Sequence, residues 1–193
     1  MTSIIQLKQD ISECSSCSNV LPFDPRPVVQ FDAASKILIA GHAPGKRVHD
    51  SGVPFDDASG KRLREWLGVS NTEFYNSINF AILPMGFCYP GKGQSGDLPP
   101  RPECAEKWRL KVLSKLKEVQ LVIVLGQHAI KYHLPNEKGN LTNTVQNWQA
   151  YWPNTIALPH PSPRNNIWLK RNPWFEADVL PILKQRIIRI LNT

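Results

Sequence analysis

Two short stretches of the sequence have residues and spacing that could bind or transform a ligand. Residues 41–45 read Gly-His-Ala-Pro-Gly and follow directly on the apolar run Lys36–Ala40. Glycines let the backbone approach a ligand closely, proline stiffens the loop, and successive amide N–H groups can bind a carbonyl oxygen or an anion. The second stretch, His160-Pro-Ser-Pro-Arg164, follows the apolar run Thr155–Leu158. Both therefore predict functional loops at strand ends.

The four cysteines form a third group with a suggestive spacing. Cys14 and Cys17 are separated by two residues, and Cys88 and Cys104 by fifteen. Two intervening residues allow a pair of thiolates to bind one metal centre, and disulfides are unfavourable in the intracellular chain that we expect. Four thiolates accept either zinc or an iron–sulfur cluster, so the cysteines alone leave both open. Either centre would tie the N-terminal segment to the proline-rich loop between Cys88 and Cys104.

Short apolar strands alternating with helices must position these residues. We predict an α/β fold, a three-layer α/β/α sandwich with a central four-stranded, mainly parallel sheet, in a single domain over residues 1–193. Ligands of such sheets bind outside the carboxyl ends of the strands, where both loops lie. The predicted strands are Lys36–Ala40, Tyr75–Leu83, Leu121–Leu125 and Thr155–Leu158. The predicted helices are Ser59–Leu67, Pro102–Val119, Gln127–His133 and a last one holding Phe175 to Leu191, which Pro181 could divide.

Composition narrows the class of partner. The 193-residue chain has 23 Lys and Arg against 16 Asp and Glu, a net charge of +7 that favours a polyanionic partner. No apolar run approaches the ~20 residues of a membrane helix, and the first residues lack the pattern of a signal peptide. We therefore expect a cytoplasmic protein with no membrane partner. No pattern indicates the oligomeric state.

Taken in order along the chain, these features resemble the uracil-DNA glycosylase superfamily. The Gly41–Gly45 loop, the later Gly52-Val-Pro-Phe55 and the four cysteines are closest to its iron–sulfur family 4 branch, while His160–Arg164 is more similar to the single-strand-selective branch. The resemblance implies a DNA glycosylase of base excision repair. Such an enzyme flips uracil or a related deaminated base out of DNA and hydrolyses its N-glycosidic bond. The implied partner is DNA, single-stranded or with a flipped base.

The resemblance also implies roles for individual residues. His160 would donate a hydrogen bond to the leaving base as negative charge develops, and Phe55 would stack on the flipped pyrimidine. Ser162 and Arg164 would contact phosphates. The base and its sugar would lie against Gly41, Ala43, Pro44 and Gly45. The implied cofactor is a [4Fe–4S] cluster, with zinc as the alternative, bound by Cys14, Cys17, Cys88 and Cys104.

Two departures from the family pattern affect the catalytic residues. His42 replaces the glutamate of the family 4 motif, and Ala43 replaces the aspartate or asparagine of other branches. We therefore expect His42, as a neutral imidazole, or Asp50 to orient the attacking water. The expected base-reading amide is Asn79, although it lies five residues before Pro84. The alternative function is a DNA-binding or modified-base-binding protein that has the same metal-clipped fold and no catalytic activity.

Overall fold

The carboxyl ends of four parallel strands determine where a site can form. The computed structural model describes residues 3–193. Its strands are β1 Ile37–Ala40, β2 Phe80–Ile82, β3 Lys92–Gly93, β4 Gly96–Asp97, β5 Leu121–Leu125 and β6 Thr155–Leu158. The central sheet has the order β2-β1-β5-β6 with every pair parallel, and β3 and β4 form a separate antiparallel hairpin. The predicted α/β class with a four-stranded central sheet is confirmed.

Helices connect the strands and cover the sheet. They are α1 Ile4–Ser12, α2 Lys46–Ser51, α3 Ala58–Leu67, α4 Asn71–Tyr75, α5 Pro102–Cys104, α6 Leu110–Leu113, α7 Gly126–His133, α8 Leu141–Gln146, α9 Asn166–Arg171 and α10 Leu180–Leu191. A π-helical turn over Ala105–Arg109 joins α5 to α6, and another over Phe175–Val179 leads into α10. Within residues 3–193, no helix combines the length and apolar character needed to cross a bilayer.

Alternation along the strands builds the two helical layers. Ile37 and Ile39 of β1 face one side, where they share a core with the apolar faces of α3 and α10. Leu38 faces the other side and packs with α1 and the helix around Trp108. Because successive side chains of a strand point to opposite faces, a strand buried on both sides must be apolar throughout. That requirement explains why the sequence Ile-Leu-Ile-Ala forms β1.

Two predicted elements are shorter than expected. The predicted strand Tyr75–Leu83 is strand only at Phe80–Ile82, because Tyr75 ends α4 and a turn lies between α4 and the strand. The Ser70 hydroxyl accepts from the Glu73 N–H while the Glu73 carboxylate accepts from the Ser70 N–H, a capping box that starts a helix. The helix predicted to reach Val119 ends at Leu113.

Pro181 does not divide the last helix. It lies in the first turn of α10, immediately after the π-helical turn Phe175–Val179. A proline in a first turn lacks only an N–H that would have no intrahelical partner, so the helix accommodates it.

A fully buried arginine fixes the loop after β2. Arg109 Nη1 donates to the carbonyl oxygens of Leu83 and Pro84, at 3.1 and 3.0 Å, and Nη2 lies 2.8 Å from His133 Nε2. Burial lowers the pKa of Arg109 to about 10, so the guanidinium remains charged at neutral pH. Burial and the neighbouring Arg109 lower the pKa of His133 to about 3. His133 is therefore a neutral acceptor for this buried cation.

The loop after β2 in turn holds the loop after β1. Met85 N–H donates to the Gly41 carbonyl at 2.9 Å, and Gly86 N–H donates to the His42 carbonyl at 3.0 Å. The buried cation is thus connected by backbone hydrogen bonds to the Gly-His-Ala-Pro-Gly loop. These bonds align the two loops at the carboxyl edge of the sheet.

Replacing His133 with Gln should weaken the pH dependence of stability between about pH 6.5 and 4.5. The pKa of His133 is lower in the folded chain than in the unfolded chain, so the unfolded chain binds an extra proton as the pH falls through this range, and stability is lost. One such proton gives a slope of about 1.4 kcal/mol per pH unit. Glutamine can still accept from Arg109 but does not titrate. Urea unfolding across the range measures the slope, and an unchanged slope would show that His133 is not held neutral.

Candidate functional site

Loops following all four strands of the central sheet, together with the β3–β4 hairpin, enclose a pocket of about 470 Å³. This volume lies within the ~300–1,000 Å³ range of small-molecule sites. The pocket opens at the carboxyl edge of the sheet, where parallel folds of this kind bind ligands. The predicted residues that line it are Gly41, His42, Ala43, Pro44, Gly45, Phe55, His160, Ser162 and Arg164.

Two predicted residues lie elsewhere. Asp50 is on α2, where Lys46 Nζ donates to both carboxylate oxygens at 2.5 and 2.7 Å, and it does not line the pocket. This hydrogen bond lowers the pKa of Asp50. Asn79 directly precedes β2, at the amino edge of the sheet, and its amide nitrogen donates to the Glu73 carbonyl at 3.1 Å. The geometry therefore does not support water activation by Asp50 or base recognition by Asn79.

Two acidic residues that were not predicted line the pocket instead. Asp57 caps the N-terminus of α3, and its Oδ1 accepts from Gly60 N–H at 2.8 Å. Asp97 ends β4, and burial raises its pKa while the charge of Arg164 acts in the opposite direction. An Asp preceding a helix is a recognisable cap, so Asp57 had a sequence signal. Asp97 had none, because only the folding of a long loop brings it to the pocket.

Phe55 has an unusual backbone that the surrounding residues hold in place. Its φ of 55° lies in the left-handed region, which side chains other than glycine seldom adopt. Arg64 Nη1 donates to the Phe55 carbonyl at 3.4 Å, and the Phe55 ring meets Phe74 edge-on at 6.2 Å. A Cβ on Gly60 would lie 1.7 Å from the Phe55 carbonyl oxygen, and a Cβ on Gly41 would lie 3.4 Å from the ring. Strain of this kind is typical of positions that shape a ligand site.

The hydrogen bonds of His160 define its tautomer. Ser162 N–H donates to Nδ1 at 3.3 Å, so Nδ1 carries no proton. Burial lowers the pKa of His160, with the Asp57 charge acting in the opposite direction. Asn165 Nδ2 donates to the His160 carbonyl at 2.7 Å and fixes the backbone. His160 is therefore a neutral imidazole that keeps a proton on Nε2 and lines the pocket as a hydrogen-bond donor.

His42 is also kept neutral. Burial, together with the neighbouring His128 and His160, lowers its pKa to about 4. The His42 ring meets the His128 ring edge-on, with 5.0 Å between their centroids. His128 was not predicted as a site residue. It reaches the pocket because α7 begins directly at Gly126, whose φ of 77° turns the chain sharply at the end of β5.

The His160–Arg164 loop is joined to the hairpin and to α3. Arg164 Nη1 donates to the Ser95 carbonyl at 3.1 Å, and Arg164 N–H donates to Ser162 Oγ at 3.3 Å. Arg62 Nη1 donates to the Ser162 carbonyl at 3.2 Å. Arg164 is exposed and lines the pocket, so its guanidinium has further donors at the pocket rim. Arg164 therefore ties the β3–β4 hairpin over one side of the pocket.

The four cysteines lie near one another behind the loop after β2, and none forms a disulfide. Burial, together with the charges of Cys104, Cys14 and Cys17, raises the pKa of Cys88 to about 12. Trp108 Nε1 donates to Cys14 Sγ at 3.2 Å, and Phe87 N–H donates to Cys104 Sγ at 3.4 Å. Among residues 3–193, no three His, Cys, Asp or Glu side chains are arranged to hold a single metal ion.

The match to a family model agrees with the sequence motifs. A family model described as the Uracil DNA glycosylase superfamily matches residues 28–184. This range contains every residue that lines the pocket, together with Cys88 and Cys104. The solution NMR structure of a candidate uracil DNA glycosylase from Methanosarcina acetivorans is 16% identical in sequence. Its alignment covers 81% of this chain and 93% of that chain, with a TM-score of 0.43.

The tautomer of His160 can be observed directly. Long-range ¹H–¹⁵N correlation spectra should show a proton on Nε2 alone at about pH 7, since Nδ1 accepts from Ser162 N–H. Ser162→Pro removes this N–H and should allow both tautomers, because Ser162 already has an extended backbone that proline can adopt. Ser162→Ala keeps the N–H and should keep the single tautomer. A proton found on Nδ1 of the wild-type protein would contradict the assignment.

Proposed function

The chain belongs to the uracil DNA glycosylase superfamily, and on this basis we propose that it removes uracil or a related deaminated base from DNA in base excision repair. The observation that best supports the proposal is the content of the pocket. One cavity, large enough for a base and its sugar, contains a neutral histidine donor, His160, an aspartate, Asp57, and an aromatic ring, Phe55. The donor and the carboxylate suit hydrolysis of an N-glycosidic bond, and the ring suits stacking on the base.

Access to the bond requires that the nucleotide leave the base stack. The pocket is reached from one edge of the sheet, so the base would enter it as an extruded nucleotide. The Phe55 ring would stack on the base, and its position is fixed by the strained backbone and by Phe74. The glycines of the Gly41–Gly45 loop let the backbone N–H groups approach the base carbonyls.

His160 would stabilise the leaving base. As the bond between the sugar and the base breaks, its electron pair moves onto the base, and the base carbonyls become more negative. A hydrogen bond from His160 Nε2–H would stabilise this charge more strongly in a buried site than in water. Because the imidazole is neutral and its position is fixed by Ser162 and Asn165, little reorganisation is required.

Asp57 would act on the water. Its Oδ1 accepts from Gly60 N–H, which leaves Oδ2 able to accept a proton from a water molecule. The water oxygen bonds to the sugar carbon as the base departs, and the negative carboxylate also stabilises the positive charge that develops on the sugar. His42, neutral and beside His160, would hold the water by a second hydrogen bond. Asp57 thus takes the role that the sequence assigned to Asp50.

The proposed substrate is a deaminated base, and the pocket wall does not identify one base within this class. Pro84 lines the pocket just beyond the end of β2, so the wall offers no amide there. The polar side chains that remain for reading the base include Asp97 and Gln127. The exposed cations Lys46, Arg47, Lys170 and Arg171 are proposed to contact the DNA backbone.

Single-turnover base release tests this proposal. Single- and double-stranded oligonucleotides with uracil, hypoxanthine, xanthine or hydroxymethyluracil identify the best substrate. His160→Ala should then slow the chemical step by about 10²–10³, because the lost donor acts on charge that is absent in the ground state. Asp57→Asn should slow it by roughly 10²–10⁴, the range of general-base effects. Asp50→Asn, outside the pocket, is the matched control and should retain the wild-type rate.

Two outcomes would overturn parts of the proposal. DNA binding without base release from any of these substrates would support the alternative of a binding protein without catalytic activity. Wild-type rates for both His160→Ala and Asp57→Asn would show that release occurs elsewhere in the chain.

We also propose that the four cysteine thiolates bind a [4Fe–4S] cluster, with zinc as the alternative. The donor chemistry suits such a centre, because thiolates bind both iron and zinc, and two of the four neighbouring thiols receive N–H hydrogen bonds that favour the thiolate form, Cys14 from Trp108 and Cys104 from Phe87. A bound cluster would supply covalent cross-links between the segment holding Cys14 and the loop before Cys104. Phe87 lies in the loop after β2, which Arg109 also holds, and its N–H donates to Cys104. A metal centre bound by the cysteines would therefore stabilise one of the loops that form the pocket.

Replacing Cys17 with Ser should release the metal and lower the melting temperature, since the cross-link to the N-terminal segment is lost. Protein purified without oxygen should be brown, with about four iron atoms per chain if all four thiolates hold one cubane. Ser18→Ala, next to Cys17, is the matched control and should keep the metal. Colourless protein with one zinc per chain would exclude the iron–sulfur cluster and support a zinc site formed by the same four cysteines.

A further inference from the structure

A second cavity, of about 530 Å³, opens beside the first. His128 lines both cavities, so they meet at a single side chain at the start of α7. The walls are mostly apolar and include Met85, Leu110 and Tyr132. Leu110, which is 68% exposed, adds apolar surface at the rim of the cavity.

Tyr132 provides a flat wall whose orientation is fixed. The buried Arg109 guanidinium lies over the ring, with its carbon 5.1 Å from the ring centroid. Arg109 is held in turn by the carbonyls of Leu83 and Pro84 and by His133. Arg109 lies over one face of the ring, and the ring also lines the cavity, where it presents aromatic surface to a ligand. Aromatic side chains on which bases stack are typical of proteins that bind single strands.

The charge at the rim suits an anionic chain. Lys131 lines the cavity, is exposed, and has no carboxylate within ion-pair distance among residues 3–193. Arg101, also at the rim, is paired with Glu103. Glu106 is the one carboxylate that lines the cavity in the described part of the chain. A lysine without a partner next to an aromatic wall is the combination that contacts a phosphate and its base.

We propose that this second cavity binds the nucleobase adjacent to the extruded one, on the same DNA strand. The inference rests on the proposed function, which places the extruded base in the first cavity. Its neighbour loses a stacking partner when the base leaves, and a second cavity that shares His128 offers a new one. Tyr132 would stack on the neighbouring base, Leu110 would cover its edge, and Lys131 would contact the linking phosphate. An apolar peptide would gain nothing from Lys131, so a nucleotide is the occupant that the charges favour.

Fluorescence of 2-aminopurine tests the proposal without requiring catalysis. Single-stranded oligonucleotides would carry 2′-fluorinated deoxyuridine, which resists cleavage, and 2-aminopurine on its 5′ side, on its 3′ side, or four nucleotides away. Binding should quench the probe at one adjacent position, through stacking, and leave the distant probe unchanged. Tyr132→Leu should abolish this quenching. Quenching that is equal at every position, or unaffected by Tyr132→Leu, would overturn the proposal.

Variants with altered charge provide a second test, which remains valid if Tyr132→Leu does not fold. Lys131→Ala should weaken oligonucleotide binding several-fold, and Glu106→Gln should tighten it, with both side chains exposed and safe to replace. Lys184→Ala on α10, in the opposite helical layer, removes the same charge and should have no effect. Equal effects of Lys131→Ala and Lys184→Ala would show only general attraction and contradict a subsite.

Failure of this proposal can be told from failure of the proposed function. Base release from uracil-containing DNA without quenching of an adjacent probe would overturn the second subsite alone. Local quenching without base release from any substrate would sustain the subsite and overturn catalysis. Self-association that depends on Tyr132, with no quenching, would instead assign the cavity to contact between copies of the chain.

Discussion

The site depends on a buried guanidinium, that of Arg109, with which no carboxylate of residues 3–193 forms an ion pair. Desolvating a cation is costly, and Arg109 is stabilised by carbonyl dipoles, the neutral His133 and the Tyr132 ring. Those carbonyls belong to the loop after β2, whose amides hold the loop after β1. One buried charge therefore sets the separation of two loops that form the pocket wall, and it also orients the ring that lines the second cavity. The cost of burying it is consistent with a role in positioning rather than in stability alone.

Burial also determines the electrostatics of the pocket. It lowers the pKa values of His42 and His160, so both imidazoles are neutral at physiological pH. A neutral imidazole donates one hydrogen bond and accepts another, and at His160 the accepting nitrogen is already occupied by Ser162 N–H. The donor that remains suits a leaving group that becomes negative. The pocket therefore contains neutral imidazole donors next to the carboxylate of Asp57, so the group that would donate to the leaving base is itself uncharged.

Much of the fold could be predicted because buried parallel strands are apolar throughout. Leu121–Leu125 and Thr155–Leu158 were found with their observed bounds. The predicted start of β2 at Tyr75 is too early, because aromatic residues favour strands, whereas the capping box at Ser70 starts the helix that ends at Tyr75. Asp97 and His128 could not have been found, since a hairpin and a turn at Gly126 bring them to the pocket only in the folded chain. The burial of Arg109 could have been predicted, because Arg109 lies three residues before the apolar Val112 and therefore on the same, buried face of the helix.

Amide chemical shifts would show whether the loops at the carboxyl edge of the sheet bind an extruded base. ¹⁵N-labelled protein would be titrated with a single-stranded oligonucleotide that carries one cleavage-resistant uracil analogue, and with the same strand lacking it. The amide signals of Gly41, Phe55 and Ser162 should shift when the oligonucleotide with the uracil analogue is added and should not shift with the oligonucleotide that lacks it. Shifts that are identical for the two strands, or that centre on the amino edge of the sheet near Asn79, would contradict it.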